Sequence, residues 1–257
     1  VPAPGSRPVS AAGLVLVALA ALACGAINSL AGGGSLILFP ALIASGLPRL
    51  DANVTNSVIT WPGYLGGVVG FRHDIVPQRS RLLPLLLVTV AGSATGCVLL
   101  LITPSAAFDV IVPALVLFAS LLIAFQPRLK QRLGAAPTDD HRRVARLVAI
   151  FFASIYGGYF GAALGVILTA VLMFTFNDTL HRLTALRSVL SLADASVSLL
   201  IFGLFGPVQW VAVAVAAPCT LAGGFLGARL AGRIDEQVLR IGVVVFGITA
   251  AVLLAAF

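Results

Sequence analysis

Apolar residues along this chain run in long blocks rather than alternating with polar ones. A helix needs about 20 largely apolar residues to cross the hydrocarbon core of a bilayer. By that measure Ala11–Leu30, Val54–Phe71, Leu82–Ile102 and Phe108–Phe125 are predicted spans. A basic stretch from Gln126 to Arg146 follows, and the pattern then returns in Leu147–Phe160, Leu183–Phe205, Val208–Ala228 and Val238–Phe257. Each half also holds one short apolar piece directly after a glycine cluster: Ser35–Ser45 after Gly32, Gly33 and Gly34, and Val166–Phe176 after the run from Gly161 to Gly165. Neither is long enough to span comfortably alone. The expected division is a polar lead-in at 1–10, a first membrane repeat at 11–126, a basic cytoplasmic linker at 127–146 and a second membrane repeat at 147–257.

The halves are related. A shift of 131 positions lays Gly34 through Leu38 on Gly165 through Thr169, and Ala91, Gly92 and Gly96 on Ala222, Gly223 and Gly227. One further residue of offset lays Ala52 through Asn56 on Thr184 through Ser188. One offset serving sites far apart in the chain marks an internal repeat of the kind that secondary transporters carry.

Composition agrees with a bilayer setting. Of 257 residues 60% are hydrophobic and only 10% charged, and mean hydropathy is +1.09, against about a quarter charged in a soluble domain. The net charge of +7 gathers between the spans, so it reports topology rather than nucleic-acid binding. If each short piece returns the chain to the side it came from, the second half is inverted. Fourteen of the 16 basic residues then share one face, leaving Arg7 and Arg49 opposite; a parallel repeat would split them 10 to 6. The cytoplasmic excess of positive charge favours inversion, with both termini outside. The predicted fold is therefore an all-α integral membrane protein of two inverted repeats, each with about four spanning helices and a half-helix after a Gly-rich break.

Polar groups at membrane depth are the candidate chemistry. Three consecutive glycines at Gly32, Gly33 and Gly34 either allow close packing or free backbone amides at a half-helix start, where the dipole favours an anion. Asn28 and Ser29 precede this break, Ser35 follows it, and Asn53, Thr55, Asn56 and Ser57 open the next span; each can serve a ligand or hold a neighbouring helix. Arg187, beside Ser188, either snorkels to the interface or contributes to a binding site. Asp194, two turns further on, is either a proton carrier or a structural hydrogen-bonding group. Cys24, Cys97 and Cys219 are isolated within apolar runs, and His73, His141 and His181 sit in polar stretches, so neither a metal nor another cofactor is expected. No nucleophile and base stand at a helical spacing, which argues against an enzyme.

The run Gly25 to Leu36, then Phe39 to Leu42, Gly46 to Pro48, Ala52 to Asn56, Tyr156 to Gly161, Ala185 to Arg187 and Gly223 to Gly227 resembles the TauE/SafE family of sulfite and organosulfonate exporters, over nearly the whole chain from Gly13. The second glycine cluster departs from the pattern, with Ala162, Ala163 and Leu164 inside it, and Arg187 stands where a lysine is expected. The resemblance implies export of sulfite or a small organosulfonate across a bacterial inner membrane. The substrate would be held by Asn28, Gly32, Gly33, Gly34, Ser35, Asn53, Thr55, Asn56, Arg187 and Ser188, with a proton carried on Asp194. An anion channel is the alternative, and a non-transporting sensor or sulfur-relay partner a third reading. Partners would be the sulfur-containing anion, membrane lipid and a second copy of the chain, and no nucleic acid.

Overall fold

The computed structural model describes residues 10–30, 32–132, 141–176, 178–230 and 236–256. The lead-in up to residue 9 with Arg7, Ala31, residues 133–140 of the basic stretch, Arg233 and Phe257 lie outside them. The described residues are helical nearly throughout: α1 (Ala11–Leu30), α2 (Ser35–Ala44), α3 (Arg49–Gly70), α4 (Arg72–Ile75), α5 (Arg79–Ile102), α6 (Ser105–Arg132), α7 (His141–Tyr159), α8 (Leu164–Thr175), α9 (Leu180–Phe205), α10 (Trp210–Leu230) and α11 (Glu236–Ala256). The described parts of the basic stretch are helical too, since α6 continues through Arg132 and α7 starts at His141.

Among the described residues five helices, α1, α5, α6, α9 and α10, are long and apolar enough to cross a membrane by length and composition alone. α3 is not among them, although its 22 residues reach about 33 Å at 1.5 Å per residue. Its polar residues explain this. Asn53, Thr55, Asn56, Ser57 and Thr60 are all buried against neighbouring helices, so this helix meets protein where a lipid-facing one would need apolar side chains. The outer surface shows the complementary inversion: Val110, Ile102, Leu204 and Phe205 are each at least 70% exposed, which is affordable only where the solvent is hydrocarbon.

Small residues set the closest crossings, because packing between membrane helices depends on near approach of backbones. Gly25 lies against Thr220 and Gly224, and Gly223 and Gly227 lie against Leu22 and Ala26, joining α1 to α10. Gly92 meets Phe151 and Ser154 while Gly96 meets Ile155 and Tyr159, so α5 and α7 run side by side in the same direction. α3 runs in the same direction as α10, with Gly63 at Thr220, Gly66 at Leu221 and Gly70 at Ala228. Against α9 it is antiparallel: Val54 touches Gly206, Trp61 donates from Nε1 to Ser196 Oγ, and Phe71 packs on His181. α6 and α11 are also antiparallel. Ser120 meets Gly247, while at one end Arg49 donates to the carbonyls of both Asp109 and Leu254.

The two ends of the bundle differ in charge. At one end Asp178 accepts from Arg81 at 2.8 Å and lies 3.6 Å from Arg182, Asp74 pairs with His181, and Arg146 stacks over Phe176 at 4.1 Å. The opposite end carries Arg49 on backbone carbonyls.

Candidate functional site

Each glycine cluster breaks a helix. α1 stops at Leu30 and α2 restarts at Ser35; α7 stops at Tyr159 and α8 restarts at Leu164. Gly32 takes φ of 76° and Ala163, its counterpart under the 131-residue shift, takes φ of 61°. The left-handed turn is thus present in both halves, even where alanine has replaced glycine. The breaks also touch: a Cβ on Gly32 would lie 2.8 Å from the Cα of Gly165, so the backbones meet with no room for a side chain.

Arg187 sits at this junction. Its Nη2 donates to the carbonyls of Asn28 at 3.1 Å and Ser29 at 2.9 Å, the last turn of α1, and its Nη1 lies beside Gly32 and Gly165. Arg187 is 3% exposed. It therefore reaches into the protein, and snorkelling to the interface does not describe it. The carbonyls it holds are among those that a helix end leaves unsatisfied, and a buried cation there also suits the negative end of the helix dipole.

Asn28 serves the other strand of the break. Its Oδ1 accepts from the amides of Gly33 at 3.1 Å and Gly34 at 2.8 Å. One side-chain oxygen thereby satisfies both amides that the break leaves free. The second break has a parallel device: Asn53 Nδ2 donates to the carbonyl of Tyr159, at the end of α7, at 2.9 Å. Each broken helix is thus tied at its end by a polar side chain from a long helix of the opposite half.

Between the breaks lies a small polar cavity of about 20 Å³. Ser35, at the start of α2, and Leu164, at the start of α8, both line it. So do Asn56, Ser57, Thr60 and Tyr64 of α3, Gly157 and Gly161 at the end of the first arm of the second break, and Asp194, Ala195 and Ser198 of α9. The Asp194 carboxylate comes close to α7 because residue 157 lacks a side chain; a Cβ there would lie 2.7 Å from Asp194 Oδ1.

Of the residues singled out in the sequence, Asn28, Gly32, Gly33, Gly34 and Arg187 meet at the break junction, and Ser35, Asn56 and Asp194 meet in the cavity. Asn53 lies at the end of α7. Thr55 points elsewhere, its Oγ1 accepting from the Gln209 amide, and Ser188 donates to the Thr184 carbonyl of its own helix. Gly157 and Gly161 stand out in the sequence only as part of the second glycine-rich stretch, while Thr60, Tyr64 and Ser198 were missed. Their signal was a polar stripe at helical spacing: Asn53, Asn56, Ser57, Thr60 and Tyr64 on α3, and Ser191, Asp194 and Ser198 on α9.

The sequence pattern of the sulfite exporter TauE/SafE family matches residues 17–254. The chain belongs to the TauE/SafE family. Its relatives include the probable membrane transporter protein YfcA of Escherichia coli K12, 30% identical over 83% of this chain and 77% of that one. A probable membrane transporter protein of Haemophilus influenzae is 27% identical over 85% of each chain. The probable membrane transporter protein ORF9 of a Sinorhizobium species is 24% identical over 95% of this chain and 92% of its own. No solved structure matches. Like its TauE/SafE relatives, the chain is a multi-pass membrane protein of a transporter family rather than an enzyme family.

Proposed function

We propose that this TauE/SafE protein is a secondary transporter that exports sulfite or a small organosulfonate across a bacterial inner membrane, built as two inverted repeats. The antiparallel course of α3 against α9 and of α6 against α11 supports the inversion. Each of these pairs is related by the internal repeat, and a two-fold axis lying in the membrane plane sets such counterparts antiparallel.

The observation that carries the transport reading is the small polar cavity between two helix breaks. Half-helices that start at membrane depth direct their positive dipole ends inward, and here α2 and α8 both start at this cavity, with Arg187 at the junction behind them. The substrate would bind where the breaks meet, at Arg187, Ser35, Asn53, Asn56 and the amides of Gly33 and Gly34 once Asn28 yields them. A volume of about 20 Å³ is room for roughly one water and less than a sulfite needs. Transport therefore requires the breaks to separate, as in alternating access. Asp194, the carboxylate lining the same cavity, is the coupling group, with a proton as its simplest cargo.

The test is counterflow in proteoliposomes loaded with unlabelled sulfite. Saturable uptake of labelled sulfite, lost in Asn56→Leu, is expected of a carrier. Flux that rises linearly with concentration would identify a channel, and binding without movement would identify a sensor or relay protein.

A further inference from the structure

We infer that the cavity at Asp194 is a binding site for a monovalent cation, Na⁺, for which the proton competes. The inference rests on the carrier reading and names the coupling ion of that same cavity.

The lining offers oxygen lone pairs in excess of donors. Asp194 Oδ1 and Asn56 Oδ1 are both buried and have no hydrogen-bond partner, in residues only 4% and 2% exposed. Two further oxygens have their hydrogens committed elsewhere. Ser57 Oγ donates to the Asn53 carbonyl at 3.1 Å, and Thr60 Oγ1 donates to the Ser57 carbonyl at 3.0 Å. What these hydroxyls have left for the cavity is their lone pairs. An orphaned buried acceptor is costly. A ligand that relieves both orphaned oxygens at once, with the hydroxyl lone pairs beside them, must be a donor or a cation.

Size and charge narrow the choice. About 20 Å³ accommodates one water-sized particle, which a dehydrated Na⁺ is. Carboxylate, amide and hydroxyl oxygens are hard ligands suited to hard cations. A single carboxylate neutralises one positive charge, whereas a divalent ion would remain half-compensated in a low dielectric. Among the described residues no three His, Cys, Asp or Glu side chains gather into a metal-binding group.

The other groups around the carboxylate leave it as the one that decides the charge. α3 presents Tyr64, and α5 presents Cys97, which contacts Ser198. α7 presents Gly157 and Gly161, α2 presents Ser35 and α8 presents Leu164. On α9 itself Arg187 lies two turns away and is engaged at the α1 terminus. A proton on Asp194 removes the charge that attracts the ion, so Na⁺ affinity falls as pH is lowered. A cation here would also sit next to the break junction, where the sulfur anion is proposed to bind, and attract it. That pairing would couple the two.

The experiment is thermal unfolding of the purified full chain in detergent, in NaCl, KCl and choline chloride at equal ionic strength, at neutral and at acidic pH. The expected result is saturable, Na⁺-specific stabilisation that weakens at acidic pH and disappears in Asp194→Asn. Ser198→Ala removes one cavity oxygen with little change in shape, and should weaken apparent Na⁺ affinity about 2- to 10-fold. Equal stabilisation by all three salts, or a Na⁺ effect that survives unchanged in both variants, overturns the site. Sulfite counterflow on the same preparation separates the two claims. Counterflow without any Na⁺ effect refutes the cation site and leaves the carrier standing. A Na⁺ effect without counterflow supports the cation site and refutes the sulfite carrier.

Discussion

Ala163 and Gly32 occupy equivalent positions in the two halves and share a left-handed backbone, but only one of them is a glycine. For an L-residue with a Cβ that conformation costs about 1–2 kcal/mol. Ala163→Gly releases the strain and gives up a buried methyl worth about 0.8 kcal/mol, so the change should be neutral or stabilise by up to about 1 kcal/mol. Gly32→Ala meets the same backbone penalty and also drives a methyl into Gly165; overpacking typically adds about 1–3 kcal/mol. Thermal unfolding in detergent should therefore show the first substitution raising or holding the midpoint and the second lowering it clearly. Equal effects would mean that the breaks do not abut. Arg187 is the other residue on which the junction depends. Arg187→Ala strands two buried carbonyls, and a hydrogen bond to a charged group contributes about 1.5–3 kcal/mol. The midpoint should fall accordingly, with partial recovery in Arg187→Lys, which keeps the charge but loses the guanidinium geometry. A sulfite affinity that also falls, by roughly 10- to 150-fold for the same energy, would place the guanidinium at the substrate; unchanged affinity would confine it to holding α1.

Among the elements, the short helices were the most legible. The sequence pieces Ser35–Ser45 and Val166–Phe176 became Ser35–Ala44 and Leu164–Thr175, because a glycine cluster before a short apolar run leaves few alternatives for where a helix starts. Long spans were legible from apolar length. α3 was harder: its polar stripe lowers its apolarity, and only contact with α9 and α10 shows why lipid need not be satisfied there. Two elements are also joined at one end of the bundle, where Asp178 ties the start of α5 to the start of α9. Burial works against the charge of Asp178, but the Thr179 amide and the guanidiniums of Arg81 and Arg182 outweigh it and hold the carboxyl below the usual carboxylate range. A carboxyl lowered in the folded state stabilises above its unfolded pKa, about 3.9, and that contribution is lost as pH falls through the lower folded value. Wild-type protein should lose thermal stability as pH falls below about 4, and Asp178→Asn should lose less, from a lower starting point. Parallel curves for the two proteins would show that the ion pair contributes nothing.

Taken as a whole, the molecule makes a topological prediction. In a background lacking Cys24, Cys97 and Cys219, cysteines at Ser10 and Ala255 should react with an impermeant reagent from the outer face, and one at His73 only from the cytoplasmic face. Opposite labelling of Ser10 and Ala255 would rule out inversion. The sequence by itself determined that the chain lies in a membrane, roughly where its apolar helices run, and which of its polar residues are costly at depth. These follow from local properties: apolar length, glycine position and charge count. Only the tertiary structure decided the partners of those polar residues. It committed Asn28 to the Gly33 and Gly34 amides, Arg187 to the end of α1 and Thr55 to Gln209. It also drew Asn56, Thr60, Asp194 and Ser198 into one cavity. The physical reason is that a buried polar group must find a partner. Several partners are open to it in the linear chain, and the choice among them is made by the crossing of helices distant in sequence.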